Sequence, residues 1–370
     1  VFTYPGGGGR GPHLGGPARA SPMSTSSPRD TAGTELSTDL GAAFFDADEQ
    51  GLGPGAGPWK LAWRRLRRNK TALFFGGVFL CIVILCLLAP VYSHDIAHAN
   101  PDVGNVTGTI KIDGKTRDIV SPTGIPLGPT WQVSHYFLGA DVNGRDTAVR
   151  LLYGGRNSLL IGFEATILTM IVAIILALIA GYFRGIADGV ISRGLDILWA
   201  IPALLLGLTL GTIIAVGGIG PIKGNHLWIP ALVIGVVYIP YVAKPIRGQV
   251  LQLRERDFID AARQQGLSHF RIMFGEILPN LSSTIVVFIP LILANAILLE
   301  AGLSYLGVGV QPPNPSWGNM ISDGLNYIPA AFSDVLAPGI MLVLTVLSMN
   351  LFGDGLRDAL DPRAKIRVEH

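Results

Sequence analysis

Residues of the types and spacings that perform chemistry are scarce here. No G-x-x-x-x-G-K-[ST] loop occurs, so the chain by itself lacks the P-loop means of using ATP. H-E-x-x-H and G-x-S-x-G are also missing, and no intramembrane pair of carboxylates stands with a histidine. The pattern argues against an enzyme and against a cofactor or metal bound by this chain. His94, His98 and His135 lack ligand spacing and read as isolated surface histidines. The run Asp141-Val-Asn143-Gly144-Arg145-Asp146 has the look of a calcium loop without its downstream bidentate glutamate, so a turn and a helix capped by Asp146 are expected instead. Cys81 and Cys86 share one apolar run, which suits lipid-facing or packing roles rather than a disulfide or zinc site. Two acids lie inside apolar runs, and an intramembrane charge is a functional candidate by default. Glu300, with Asn295 about a turn earlier, could line an aqueous route or gate, or could bind backbone groups of the next loop. Glu164 reads as structural, near the outer end of its run.

The elements that hold these residues are membrane spans. The sequence is 49% hydrophobic and 15% charged, with mean hydropathy +0.46, far from the roughly one-quarter charged content of soluble domains. A net charge of +2 gives no case for nucleic acid. Residues 1–58 are rich in Gly, Pro and Ser and lack apolar periodicity, which predicts disorder; Met23 is a more ordinary start, so residues 1–22 read as an upstream extension or an expression remnant. Leu40, Phe44 and Phe45 could make one amphipathic turn. The basic segment 59–72, with Trp59, Trp63 and Leu66 on one side, is expected to lie on the anionic cytoplasmic face. Six all-α spans follow: Leu73–Val91, Leu159–Phe183, Leu195–Val216, Trp228–Ala243, Leu281–Leu299 and Val335–Phe352. Gly181, Gly185 and Gly189 offer a small face for helix approach. Between the first two spans, the polar stretch 93–157 alternates Ile110 and Ile112 with polar residues and turns at Asp113-Gly114, which predicts a β-hairpin. Eighteen Lys and Arg fall on one side of this topology, whereas the short loops opposite hold only Lys223. Both termini, with the tail 355–370, therefore belong in the cytoplasm.

One polar stretch interrupts the five-span core 158–354, at 257–279 between the fourth and fifth spans. Asp257 is placed to cap a short helix with Asp260 at its third position, Gly266 fits the left-handed position that ends it, and Ser268 can cap a second helix stopping before Pro279. Phe258, Ala261, Ala262 and Gln265 share one edge, which suits close approach by another surface. A plain connector between spans fits the same spacing.

Residues 260–279, DAARQQGLSHFRIMFGEILP, resemble the EAA loop of permease subunits of binding-protein-dependent ABC importers. Companion segments extend the likeness over roughly residues 60–365: HYFLGADVNGRDTAVRLLYGGRNSLLIG at 135–162, AGYFRGIADGVISRGLDILWAIPALLL at 180–206, EAGLSYLGVGVQPPNPSWGNMISDG at 300–324 and LFGDGLRDALDPR at 351–363. Together they resemble the C-type permease of the dipeptide, oligopeptide and nickel branch. Asp260 stands where the family usually has glutamate, Glu276 where the broader pattern has isoleucine, and the 109–120 hairpin looks like an addition. The resemblance implies a type I (MetI-like) permease fold in a bacterial plasma membrane, a second homologous permease, two cytoplasmic ATPases that carry ATP and Mg, an external solute-binding protein, and alternating access. It also implies that Phe258, Ala261, Ala262 and Phe270 pack against an ATPase, with Asp260 and Arg271 at the rim and Gly266 setting the elbow. No histidine lies in the predicted spans, which favours peptides over nickel as cargo. A channel-like or scaffold membrane protein without an ATPase is the alternative of another class.

Overall fold

The computed structural model describes residues 58–112, 114–217 and 226–361. Expectations for the N-terminal extension (Met23, Leu40, Phe44 and Phe45), for Asp113 and for Lys223 fall outside the described residues, as does most of the tail.

Helix α1 (Pro58–Arg68) is separated by Asn69 from α2 (Lys70–Leu87). The Asn69 side chain accepts from Ala72 N at 3.0 Å, satisfying one of the open donors at the helix start. After a further turn at Ala89–Val91 comes the outer loop, where strands β1 (Thr109–Ile112) and β2 (Lys115–Asp118) pair antiparallel with Ile112 opposite Lys115. Gly114 has φ +75°, as the expected tight turn requires. Ile112, Ile119, Val120, Leu127 and Ala140 form a small core beneath the hairpin.

Helices α3 (Thr147–Phe183), α4 (Gly185–Ala200), α5 (Ala203–Gly217) and α6 (Trp228–Arg254) follow. Then come α7 (Asp257–Gln264), α8 (His269–Tyr305), α9 (Trp317–Gly324) and α10 (Ser333–Leu360). Asp146 caps α3 by accepting from Ala148 N at 2.9 Å and Val149 N at 3.1 Å, as its position before the apolar run suggests. Burial raises the Asp146 carboxyl above the usual range, although three backbone N–H groups, of Val149, Tyr136 and Ala148, pull it back down. Cys86 packs inside and Cys81 is exposed, so the pair divides between the two expected roles. Glu164 is exposed.

Among the described residues, five helices are long and apolar enough to cross a membrane, and α4 with α5 makes a sixth passage only as a pair bent by 95°. The expected span Leu195–Val216 is thus broken where Pro202 interrupts it. Pro202 has no N–H to donate and forces the residue before it out of helical geometry, and Ile201 accordingly adopts φ −93°, ψ 128°.

The first predicted side of α1 also divides. Ala62 and Leu66 are buried, Leu66 against Ala72 and Ala359, whereas Trp59 and Trp63 are exposed. Of the glycine series, Gly181 alone meets a neighbouring helix: a Cβ there would lie 2.7 Å from Val250 Cβ of α6, while Gly185 and Gly189 face open space. Gly181→Leu should therefore destabilise the α3–α6 packing by about 1–3 kcal/mol. Gly189→Leu should leave the thermal midpoint in detergent unchanged, so the pair of melting curves separates contact from helix propensity.

Candidate functional site: a helix, a glycine elbow and the foot of the bundle

α6 ends at Arg254, and only Glu255 and Arg256 precede α7. With so short a link, Arg256 is the residue with extended backbone (φ −88°, ψ 147°) and takes the cap position. Asp257 is already helical and no side chain caps this end, contrary to expectation. Asp257 and Asp260 still sit in the first turn, where the helix dipole favours anions. Asp260 is paired with Arg263 at 2.9 Å on the exposed side.

The C-terminal end of α7 follows its sequence signal. Gly266 has φ +76°, its N–H reaches Arg263 O at 3.0 Å, and Leu267 N reaches Ala262 O at 3.1 Å. This is a Schellman closure, with Leu267 and Ala262 packing together in the core as such closures commonly do. Ser268 then caps α8 through Arg271 N at 3.4 Å.

The second helix does not stop before Pro279. Ile272–Ile277 forms a π turn in which Leu278 N bonds Met273 O, and Pro279 falls in the first turn of the α-helical continuation, where no N–H is needed. The widened turn admits the ring without breaking the helix. The element is therefore continuous with the membrane-spanning helix that follows it.

The side chains divide into two faces. Ile259 and Ala262 are buried in the core with Ile272, Ile277, Val250 and Leu178. Ala262 thus belongs to the inward face and not to the exposed edge assigned to it from spacing. Ala261, Gln265 and Arg271 are exposed, as are Phe258 at 39% and Phe270 at 68%. Phe274, a turn beyond Phe270 in the π region, joins them with its ring centroid 4.4 Å from that of Phe270. Phe274 and Ile259 escaped the sequence reading; the i, i+4 spacing of the two phenylalanines was the available signal for the first.

Two further residues fasten this element. Tyr182, at the end of α3, shares a hydrogen bond of 2.8 Å with His269 Nδ1, and Arg254 and Arg263 both lie over its ring at 5.9 Å. Arg184 pairs with Glu255, and that hydrogen bond together with the guanidinium charge holds the Glu255 carboxyl below the usual carboxylate range.

Glu300 lies at the opposite end of α8 and is completely buried. Ser304 Oγ donates to Glu300 Oε1 at 2.6 Å and accepts from Val310 N at 2.9 Å, so the carboxylate holds the following loop through a hydroxyl. Ser158 and Ser316 stand beside the same carboxyl. They accept from Trp317 N at 3.3 Å and Asn319 N at 3.2 Å respectively. This geometry matches a ligand for the loop; in this conformation Glu300 faces no open route. The Asn295 side chain donates to Leu291 O at 2.7 Å and the Asn295 backbone carbonyl accepts from Tyr238 Oη at 3.2 Å.

These helices and this element define a class: the chain belongs to the family of inner membrane components of binding-protein-dependent transport systems, the permeases of ABC importers. That family matches residues 173–366, and the N-terminal transmembrane domain of oligopeptide transport permease C matches residues 57–105. The chain is thereby a multi-pass inner-membrane permease of the type I importer fold, with a small two-stranded hairpin. Among particular proteins, it is 37% identical to the dipeptide transport system permease protein DppC of Alkalihalophilus pseudofirmus, over 83% of this chain and 91% of that one. The di/tripeptide permease DppC of Pseudomonas aeruginosa is 35% identical (83% and 93% covered), and the glutathione permease GsiD of Pectobacterium atrosepticum 33% (83% and 92%). Among solved structures, the inward-facing MetNI methionine ABC transporter aligns with a TM-score of 0.47 at 18% identity, covering 57% of this chain and 96% of that one.

Two outcomes follow from the geometry. Gly266→Val places a β-branched residue at φ +76° and should add strain of about 1–2 kcal/mol, read as faster amide exchange confined to 257–271. Ser304→Ala leaves the buried Val310 N–H without its acceptor and should lower global stability by about 1–3 kcal/mol, measured as a fall in the thermal midpoint.

Proposed function

We propose that this chain is one permease of a pair in an ATP-driven importer of di- and oligopeptides, with both termini in the cytoplasm. α7 and the start of α8 receive the push of a cytoplasmic ATPase. The observation that carries this reading is the two-faced docking element. Ile259 and Ala262 bind it to the core while Phe258, Ala261, Phe270 and Phe274 remain exposed beside Asp260 and Arg271. Rigid attachment on one face and unpartnered aromatic surface on the other is what a mechanical contact needs, because hot spots of binding are commonly aromatic and pre-positioned.

The distribution of Lys and Arg supports the cytoplasmic side for this element. Peptide cargo is supported by the relatives, whose names specify dipeptides, di/tripeptides and glutathione. ATP and Mg belong on two partner ATPase subunits, since this chain has no phosphate loop. A solute-binding protein delivers cargo at the hairpin end, and the second permease completes the pathway.

The test is ATPase activity in vesicles holding the reconstituted complex, with binding protein supplied from outside and peptides screened against nickel. Peptide-dependent stimulation is expected. Ala261→Arg should insert and melt like the parent but lose stimulation by about tenfold or more, because an unpaired charge would be buried in the ATPase contact. Full stimulation of that variant would remove the docking assignment; stimulation by nickel alone would overturn the cargo.

A further inference from the structure

We propose that α1 is an anchor for anionic lipid: Trp59 and Trp63 enter the interfacial layer while Lys60, Arg64, Arg67 and Arg68 meet headgroup phosphates. This is independent of the cargo and of the ATPase contact.

The helix has three sectors at 100° per residue. Ala62 and Leu66 form the first, buried against α2 and α10, and Arg65 fixes it by donating to Asp361 O at 3.1 Å, at the end of α10. Next around the helix come Trp59 and Trp63, one turn apart and 50% and 56% exposed. The third sector holds Lys60, Arg64, Arg67 and Arg68, all exposed. Arg67 lies over the Trp63 ring at 5.6 Å, so its aliphatic stem joins the two outer sectors.

Three observations select lipid as the occupant. The segment 58–70 contains six cations and no acid, which complements an anionic surface. A single residue, Asn69, joins α1 to a membrane-spanning helix, so α1 lies at the depth where that span enters the bilayer. Leu73 and Phe74, in the first turn of the membrane-spanning α2, are likewise exposed apolar residues. A soluble acidic partner would satisfy the cations but would leave the tryptophan sector in water. An interfacial layer satisfies both, since indole rings prefer the headgroup level.

The experiment uses the full chain reconstituted in vesicles of phosphatidylcholine alone, or mixed with phosphatidylglycerol at roughly 2:1. The signal of Trp59 and Trp63 is the emission of the parent minus that of a Trp59→Phe/Trp63→Phe variant. With anionic lipid this difference should be quenched by brominated lipid about twofold or more above its value in phosphatidylcholine, and shielded from aqueous iodide. Raising salt on the parent should reverse the enhancement, a mutation-free arm. Lys60→Gln/Arg64→Gln/Arg67→Gln/Arg68→Gln, which keeps Arg65, should abolish the dependence on lipid charge. Iodide access in both lipids, or shielding that appears only when ATPase subunits are added, would overturn the proposal.

Discussion

The seam between α3 and α6 is the constraint on which the rest of this permease depends. Small residues, Ala173 and Ala177 on α3 and Ala243 on α6, let the two backbones approach, and Thr169 Oγ1 donates to Gly235 O across the seam at 2.8 Å. In a bilayer there is no hydrophobic drive to bring helices together, so close packing and such hydrogen bonds must supply the association. The helix–elbow–helix element at 257–279 stands at the foot of this seam. Ile259 and Ala262 belong to the same buried core as Leu178, Ile246 and Val250, and α7 packs against the π turn Ile272–Ile277 at the start of α8.

α8 extends the same logic across the membrane. It runs from His269 to Tyr305, about 55 Å at 1.5 Å per residue, with the exposed Phe270 near one end and buried Glu300 near the other. Pro279 would ordinarily interrupt that path. The π turn before it preserves continuity and leaves the helix start attached to Tyr182 through His269. At the far end, Glu300 and the three serines organise the loop that leads to α9, whose Trp317 is fully buried and donates to Leu151 O at 3.1 Å. One helix thus joins the exposed aromatic face to the loop at the opposite end.

Much of this was legible in the sequence because a membrane imposes long apolar runs and few ways to interrupt them. The spans, the hairpin and the Gly266 elbow follow from local signals: hydropathy, the Asp113-Gly114 pair, and a glycine placed after an amphipathic turn. What escaped was the rotation of short elements about their own axes. Ala261 and Ala262 are equivalent by spacing, and only the neighbouring Ile259 decides that Ala262 turns inward. Likewise Leu66 parts from Trp59 and Trp63 because α10 supplies a surface that no local pattern of α1 reveals. The break at Pro202 lay open to reading. The continuity through Pro279 did not, since a π turn has no comparable signature in residue type.

Magnitudes decide which contacts fasten α7 and the start of α8. The pairs Arg184–Glu255 and Asp260–Arg263 are exposed, and exposed ion pairs contribute little once solvent and salt screen them. Full burial of one side chain of the size of Ile259 contributes roughly 1.5–3 kcal/mol, and the Tyr182–His269 bond adds about 0.5–1.5 kcal/mol. The apolar seam therefore carries the attachment and the charges serve the rim. An attachment made of close packing resists small displacements until the packed residues separate, because interiors are as dense as organic crystals. Such a joint holds α7 rigidly to the core it shares with residues of α3 and α6, so its exposed aromatic face is fixed in orientation.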